Sequence, residues 1–243
     1  DFATANLGPN RRVTSEISWF FDHEERGIVL EEDCVPDPAF FPYCAELLAR
    51  YASDERVGLI SGDQFVPGGW RGADGASYAF AQLTQIWGWA SWRRAWRLLD
   101  DQTLAQWPEA KRRGVVDALF DRERDRRYWR DRFDECHSGR TEVWDYRWTL
   151  ARWLHGQSGI VPAHNLVSYI GFRPDAVNTR GAHAAANLPT VPVTFPLQHP
   201  AQVAVDRRLD IATAGILGST GSLRARATFR FRQWRQKIGV ARP

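Results

Sequence analysis

Helix-like and strand-like patterns alternate along the first quarter of the chain. Apolar residues recur at three- and four-residue intervals in residues 12–23 and again in 39–51, which is typical of amphipathic helices. Ile28-Val29-Leu30 and residues 57–61 are short, apolar, β-prone runs, which is typical of buried strands. The order helix, strand, helix, strand with short connections predicts an α/β fold whose sheet is at least partly parallel.

The later segments extend this pattern. Helix formers and charged residues dominate 90–99 and 107–138, and helical spacing returns in 145–155. Turn-forming residues in 66–75 predict a loop. Residues 160–170 alternate enough to predict one further strand.

Composition excludes several classes of protein. With 243 residues, of which 44% are hydrophobic, the chain is long enough to bury a sizeable core. The net charge is only +3 and acidic residues interleave with the basic ones, so we expect no nucleic-acid partner. No apolar window reaches the roughly 18 residues of a membrane span, and no leader pattern opens the sequence, which predicts a cytoplasmic protein. The three cysteines lack CxxC spacing and are predicted to be reduced. Because the chain contains no Met, we expect it to be a fragment.

Three acidic residues, Glu31-Glu32-Asp33, directly follow the first apolar run. In an extended strand, the side chains of Glu31 and Asp33 point to one side and that of Glu32 to the other. Clustered carboxylates favour a hard cation, and Mg²⁺ or Mn²⁺ bound in this way usually bridges to substrate phosphates. Open α/β sheets bind ligands at the carboxyl ends of their strands. The pattern therefore predicts a metal site, with a solvated acidic loop as the alternative.

Four segments carry a resemblance to a known family. They are residues 28–44, with LEEDC followed by FFPYC, 60–65 (ISGDQF), 87–96 (WGWASWRRAW) and 165–172 (NLVSYIGF). In order and spacing they resemble blocks of bacterial GT-A glycosyltransferases of the family 2 type, over about residues 5–200. The first segment is more distantly similar to the Glu-Asp-Asp block of eukaryotic β-1,2-N-acetylglucosaminyltransferase I. The resemblance implies a GT-A, Rossmann-like fold with a mixed sheet flanked by helices, whose first β/α units would precede this chain.

The resemblance also implies a function. The chain would move a sugar from a nucleotide-diphosphate donor to a glycan or other hydroxyl acceptor, with Mn²⁺ or Mg²⁺ and with inversion. Asp33 would bind the metal at the donor diphosphate, Glu31 would support it directly or through water, and Glu32 would face the ribose. Glu32 departs from the family, which usually has Asp there. Asn6 and Gly8 resemble the family's NLG turn near the nucleotide, with a simple turn as the alternative.

The resemblance points to further residues for catalysis and substrate binding. An inverting transfer needs a general base to deprotonate the acceptor hydroxyl. Asp145, in the segment WDYRW, resembles the base-bearing WDDW segment of the N-acetylglucosaminyltransferase, with helix capping as the alternative. Tryptophan rings stack on sugars but pack in cores more often. The predicted substrate-binding residues are Asp63, Trp87, Gly88, Trp89 and Trp144.

The histidines are not expected to bind the metal. His183 follows Val177-Asn178-Thr179, where the family tends to have THT, so it is interpreted as a loop residue. His164 and His199 have no acidic partner nearby in the sequence and receive no functional role.

The chain is predicted to divide into two parts. Residues 1–200 would form a partial catalytic domain that lacks the units gripping the nucleotide base, and 201–243 a basic extension. The tail 223–242 has no acidic residue, which fits a peripheral contact with the inner face of a membrane, a surface helix or a disordered end. Two other functions stay open: a non-catalytic, partner-binding remnant, and a carboxylate-metal phosphoesterase, which leaves the tryptophan blocks unexplained.

Overall fold

A computed structural model describes residues 8–70, 72, 75–100, 102–141, 143–172 and 185–217, with side chains from Arg11 onward. The helices in this part are α1 (Gly8–His23), α2 (Phe40–Arg50), α3 (Arg93–Trp96), α4 (Trp107–Arg112), α5 (Val115–Leu119), α6 (Glu123–His137), α7 (Trp144–Leu154) and α8 (Arg207–Leu217). The strands are β1 (Arg26–Val29), β2 (Cys34–Pro36), β3 (Val57–Ser61), β4 (Tyr78–Ala81), β5 (Trp89–Trp92), β6 (Ser158–Pro162) and β7 (Val167–Tyr169). None of the described helices is long and apolar enough to cross a bilayer.

A five-stranded mixed sheet lies at the centre, with the order β1-β5-β3-β6-β4. Strands β3 and β6 are parallel, whereas β5 is antiparallel to both β1 and β3, and β4 is antiparallel to β6. A small separate sheet pairs β2 with β7 in antiparallel fashion. The predicted α/β class, with a partly parallel, mixed sheet flanked by helices, is confirmed.

Burial differs between the two strands that the apolar runs predicted. Every residue of β3 is buried, as expected for a central strand with neighbours on both sides. In contrast, β1 is an edge strand that, among the described strands, pairs with β5 alone, and its residues are half-buried or exposed. The prediction that β1 is a buried strand is wrong, because an apolar run does not encode whether a strand has one neighbour or two.

The sequence pattern also misassigned two segments. Residues 90–99 were expected to be helical, but they begin within β5, and only the single turn α3 follows. Residues 160–170 were expected to form one strand, yet they contain parts of β6 and β7, which belong to different sheets. Asn165 forms the bend between them: its Nδ2 donates to the Val167 carbonyl at 2.6 Å, and its Oδ1 accepts from the Gln64 N–H at 3.0 Å.

The central sheet separates two apolar clusters. Side chains alternate sides along a strand, so Leu59 and Ile60 of β3 enter different clusters, as do Trp89 and Ala90 of β5. One cluster lies under α2. The other joins α1, α3 and α7 and is rich in tryptophan. This second cluster brings α7, which is distant in sequence, next to β1 and β5.

Part of the predicted C-terminal extension belongs to the folded body. In α8, Leu209 is fully buried and Asp210 accepts hydrogen bonds from the backbone N–H groups of Leu83 and Gln82, at 2.8 and 3.2 Å. Just before α8, the Asp206 N–H donates to the Phe80 carbonyl at 2.9 Å. Residues 207–217 thus pack against β4 and do not trail away from the sheet. The tail 223–242 lies outside the described residues.

Candidate functional site

Three strands meet at the edge of the sheet where the predicted site residues lie. In the register of the sheet, Trp89 at the start of β5 pairs with Val29 at the end of β1 and with Ser61 at the end of β3. The residues that follow β1 and β3 and precede β5 therefore come together. They include the acidic cluster, Asp63, and the pair Trp87-Gly88.

The acidic cluster forms a tight turn. The Cys34 N–H donates to the Glu31 carbonyl at 3.1 Å, which closes the turn over Glu32 and Asp33. The extended conformation expected for these acids is wrong, since β1 ends at Val29 before the first of them. Glu31 and Asp33 are nevertheless half-buried, and Glu32 is exposed. The turn, and not a strand alternation, sets Glu32 apart from the other two.

The small sheet anchors the turn. Cys34 pairs with Tyr169 in the β2–β7 register, and the Ile170 N–H donates to the Asp33 carbonyl at 2.9 Å. The Asp33 carboxylate lies directly over Gly171, where a Cβ would collide with Asp33 Oδ2 and the Tyr169 ring. A residue larger than glycine at 171 would displace the carboxylate. Gly171, in the sequence block 165–172, thus helps to position Asp33, in the block 28–44.

Asp63 is a buried acid with one oxygen in use. Its Oδ2 accepts from the Trp87 N–H at 3.0 Å, whereas Oδ1 is buried and has no hydrogen-bond partner among the described residues. Burial raises the pKa of Asp63 to about 8, although the hydrogen bonds from Trp87 and Ser61 act in the opposite direction. At neutral pH this carboxyl group therefore holds its proton for most of the time.

Trp87 is the tryptophan that stays accessible beside the acidic turn. It is half-buried and stacks on Tyr169 with ring centroids 4.4 Å apart, and it also contacts Phe65 and Phe172. Gly88 follows with a φ of +115°, and a Cβ there would lie 2.8 Å from Val167 Cγ2. Glycine is needed at 88 both for the backbone conformation and for space.

Trp89 and Trp144 lie in the core. Trp89 is 1% exposed and packs against Trp96, Trp144 and Trp148, with centroids 6.1–6.4 Å away. Trp144 is also buried in this cluster. In this conformation neither side chain offers a ring face to a sugar. Core packing, the alternative to a sugar contact, accounts for both tryptophans.

Asp145 lies in the first turn of α7. Its Oδ1 accepts from the Tyr146 N–H at 2.9 Å, and Val143, which makes no side-chain cap, occupies the position before the helix. Asp145 is therefore the second residue of the helix and is not its N-cap. A carboxylate in a first turn is favoured by the helix dipole, so the residue contributes to helix stability in this way too.

The carboxylates around the turn act on one another. The pKa of Glu31 is raised to about 7, first by burial and then by the negative charges of Asp33, Glu32 and Asp145. Burial raises the pKa of Asp145 to about 6. Asp145 is thus brought within electrostatic reach of Glu31, although the two residues are far apart in the sequence. Burial and three carboxylates all oppose ionisation of Glu31, and a bound cation would offset this effect.

The described residues contain no group of three or more His, Cys, Asp or Glu side chains placed to hold a metal ion on their own. Glu31 and Asp33 supply two carboxylates at most. Mg²⁺ is commonly bound through one or two carboxylates, with water and substrate phosphates as the remaining ligands. The donor set therefore fits a metal that arrives with a diphosphate, and does not fit a closed structural site.

Two predicted nucleotide contacts have different outcomes. Gly8 is the first residue of α1, so it lies in a helix and not in the expected turn. Asn6 lies outside the described residues, and so does His183.

Two features of this region and its surroundings were not foreseen. Tyr169 supports Trp87 by stacking on its ring, and the sequence analysis gave this tyrosine no role. His199 does have an acidic partner, since its Nε2 lies 3.2 Å from Glu46 Oε1 and its Nδ1 2.9 Å from the Tyr78 hydroxyl. Because Glu46 and His199 are remote in sequence, nothing in the linear pattern indicated this contact.

No protein-family model and no curated protein sequence gives a significant match to this chain. The sheet, the acidic turn and the residues around it therefore carry the functional argument.

Proposed function

We propose that this chain is the catalytic part of a metal-dependent, inverting glycosyltransferase of the GT-A type. It would transfer a sugar from a nucleotide-diphosphate donor to a glycan or other hydroxyl acceptor. The main support is the placement of Asp145 beside the Glu31–Asp33 turn, because a base and a donor site must lie close together for direct transfer. Each of the four sequence blocks of the resemblance contributes a residue to this site, namely Asp33, Asp63, Trp87 and Gly171, which supports the same proposal.

The metal would be Mn²⁺ or Mg²⁺, held by Asp33 with help from Glu31. Such an ion stabilises the negative charge that develops on the departing diphosphate. Glu32, the exposed member of the turn, is free to contact the donor ribose. Trp87, supported by Tyr169, offers an aromatic face for a sugar ring beside this turn. Asp63 fixes the backbone of Trp87 through the hydrogen bond to its N–H.

Asp145 would act as the general base on the acceptor hydroxyl. A base must be ionised to accept a proton, and a pKa of about 6 leaves most of this carboxylate ionised at pH 7. Its partial burial also makes it more basic than an ordinary aspartate. We expect kcat/KM to fall about tenfold per pH unit below roughly pH 6. A pH–rate profile that stays flat down to pH 4.5 would contradict this role.

Donor binding gives the first test. Calorimetry with Mn²⁺ and a panel of UDP, GDP and dTDP sugars should detect binding that requires the metal. Asp33→Asn should weaken this binding by at least roughly a hundredfold, because it removes a charged metal ligand. Glu24→Gln, a change at an exposed acid away from the turn, is the matched control and should leave binding unchanged. Equal binding by wild type and Asp33→Asn would remove the metal site from the proposal.

Transfer gives the second test. Asp145→Asn should reduce kcat by roughly 10²- to 10⁴-fold and leave the donor affinity within about twofold, because Asn cannot accept the proton. The substitution keeps the side-chain oxygen that accepts from the Tyr146 N–H, so α7 should stay folded. An Asp145→Asn protein with wild-type turnover would show that the base lies elsewhere.

A non-catalytic, partner-binding protein that keeps this fold is the alternative. It predicts neither metal-dependent donor binding nor transfer by wild type. A phosphoesterase would instead hydrolyse simple phosphate esters without a sugar acceptor.

We further propose a cytoplasmic location, with contact between the basic tail 223–242 and an anionic membrane surface. Loss of vesicle binding on removal of the tail would support this contact.

A further inference from the structure

A cavity of about 450 Å³ lies at the end of β1 opposite the acidic turn. Its lining residues are Glu25, Arg26, Ala52, Trp92, Arg93, Arg94 and Arg97. The lining thus contains four guanidinium groups and one carboxylate. Because a strand rises about 3.3 Å per residue, Arg26 and Val29 at the two ends of β1 are separated by roughly 10 Å, and the acidic turn lies beyond Val29, so the cavity is distinct from the proposed donor site.

Arg94 is held rigidly at the wall of the cavity. Its Nε donates to the Ala52 carbonyl at 2.8 Å, and its Nη2 donates to the carbonyls of Tyr51 and Val57 at 2.8 and 3.0 Å. The guanidinium also lies over the Trp92 ring, 4.5 Å from its centroid. Its Nη1 is buried and has no hydrogen-bond partner among the described residues. Arg94 therefore adds a fixed positive charge to the wall of the cavity, and backbone carbonyls hold its guanidinium group in place without a ligand.

The other three arginines line the rest of the cavity. The Nε of Arg93 donates to the Phe21 carbonyl, which leaves the two terminal nitrogens of that guanidinium for other partners. Arg26 and Arg97 are exposed. Within the described part of the chain, none of these three forms an ion pair with an acidic side chain.

Nearby acids do not neutralise the cavity. Glu25 lines it, and Asp54 and Glu55 act electrostatically on Arg94. Asp54 is already engaged by Arg56, whose Nη2 lies 2.7 Å from Asp54 Oδ2. The lining therefore keeps an excess of positive charge after its neighbours are counted.

We propose that this cavity binds a phosphate group carried by a ligand. Arginine forks match the oxygens of phosphate in two parallel hydrogen bonds, and several forks around one cavity select for a group with more than one charged oxygen. A volume of about 450 Å³ accommodates a phosphate together with part of the molecule that carries it. The carrier is either a soluble phosphate ester or the headgroup of an anionic lipid.

Calorimetry on the full chain with inorganic phosphate and pyrophosphate tests the proposal. EDTA in the buffer removes divalent cations, so metal-dependent binding at the acidic turn does not contribute. The double variant Arg26→Gln/Arg97→Gln should weaken binding by at least roughly tenfold, because it removes two of the four guanidinium groups. Arg113→Gln/Arg127→Gln removes two other exposed arginines and is the control, with an expected change below about twofold. Thermal unfolding of all variants checks that they fold.

Vesicle sedimentation separates the two carriers. Vesicles of phosphatidylcholine with phosphatidic acid are compared with phosphatidylcholine alone, using the same variants, all of which retain the tail 223–242. The tail contributes equally in all variants, so a weaker sedimentation of the double variant than of the control assigns the phosphate to a lipid headgroup. Binding of soluble pyrophosphate without this loss assigns it to a soluble ester. Absence of both, or an equal loss in the control variant, overturns the proposal, and Asp33→Asn should change neither result.

Discussion

At the residue scale, the most unusual side chain is Asp63. It is buried at the end of a central strand, and only one of its oxygens has a hydrogen-bond partner in the described residues. A protonated carboxyl group can remain in such a place, because the neutral form avoids the cost of burying a charge. The residue therefore behaves as a neutral hydrogen-bonding group that holds the Trp87 backbone at neutral pH.

Asp63→Asn should make stability less dependent on pH. The pKa of Asp63 is raised to about 8 in the folded protein, so the folded state binds this proton more tightly than the unfolded chain does. Its stabilising contribution is complete below the unfolded pKa near 4 and is lost as the pH rises towards 8. The loss is on the order of a few kcal/mol. Asn carries no titrating proton, so the variant should lack this decline.

Urea unfolding at pH 5, 7 and 8.5 measures the effect on the free energy of unfolding. We expect wild type to lose stability relative to Asp63→Asn as the pH rises. A parallel dependence in both proteins would mean that Asp63 is ionised in the folded state at neutral pH.

At the element scale, one acid adds side-chain hydrogen bonds to the apolar packing that attaches helix α8 to β4. Asp210 accepts from two successive backbone N–H groups, those of Gln82 and Leu83, just where β4 ends. These two N–H groups lie just beyond the last residue of β4 and are not bonded within the sheet, so they need another acceptor. The contact explains why a helix beyond residue 200 packs against the sheet.

Asp210→Ala should destabilise the protein by about 2–3 kcal/mol, since it leaves two buried N–H groups without an acceptor. Asp210→Asn keeps one acceptor oxygen and should cost clearly less. Urea unfolding compares the two variants, and amide hydrogen exchange of Gln82 and Leu83 reports the local effect. If Ala and Asn have the same cost, the hydrogen bonds to Asp210 do not attach the helix.

At the scale of the whole molecule, the tryptophan-rich cluster joins parts of the chain that are distant in sequence. Trp89 of β5 contacts Trp96 of α3 and both Trp144 and Trp148 of α7. This packing places the start of α7, and hence Asp145, beside the end of β1. The geometry of the candidate site thus depends on core packing away from any substrate.

Trp89→Ala should destabilise the protein by about 3–5 kcal/mol, because it opens a large cavity in a fully packed core. Trp19→Ala is the control, since that ring is 49% exposed, and it should cost less than about 1 kcal/mol. Trp89→Phe should retain donor affinity if Trp89 serves packing alone. A selective loss of donor affinity in a stable Trp89→Phe protein would instead favour the predicted sugar contact.

The local sequence by itself determined the elements whose signals are short-range. The helical spacing in 39–51 and 145–155 predicted α2 and α7 to within a few residues, and the apolar run at 57–61 predicted β3. Glu31 and Asp33 stood out because acids directly after an apolar run are visible in a linear pattern, whereas Asp145 was singled out by the resemblance of its segment to WDDW. Strands β4 and β5 were missed, since their short runs lack the alternation that marks a half-buried strand.

Only the tertiary structure decided which of these residues meet. It made β1 an edge strand, folded the three acids into a turn, buried Trp89 and Trp144 in the core, and brought Glu46 to His199. It also placed Asp145 within electrostatic reach of Glu31. The physical reason is the range of each effect: backbone preference and periodicity act over a few residues, whereas strand pairing, burial and electrostatic neighbours depend on contacts between segments far apart in the chain.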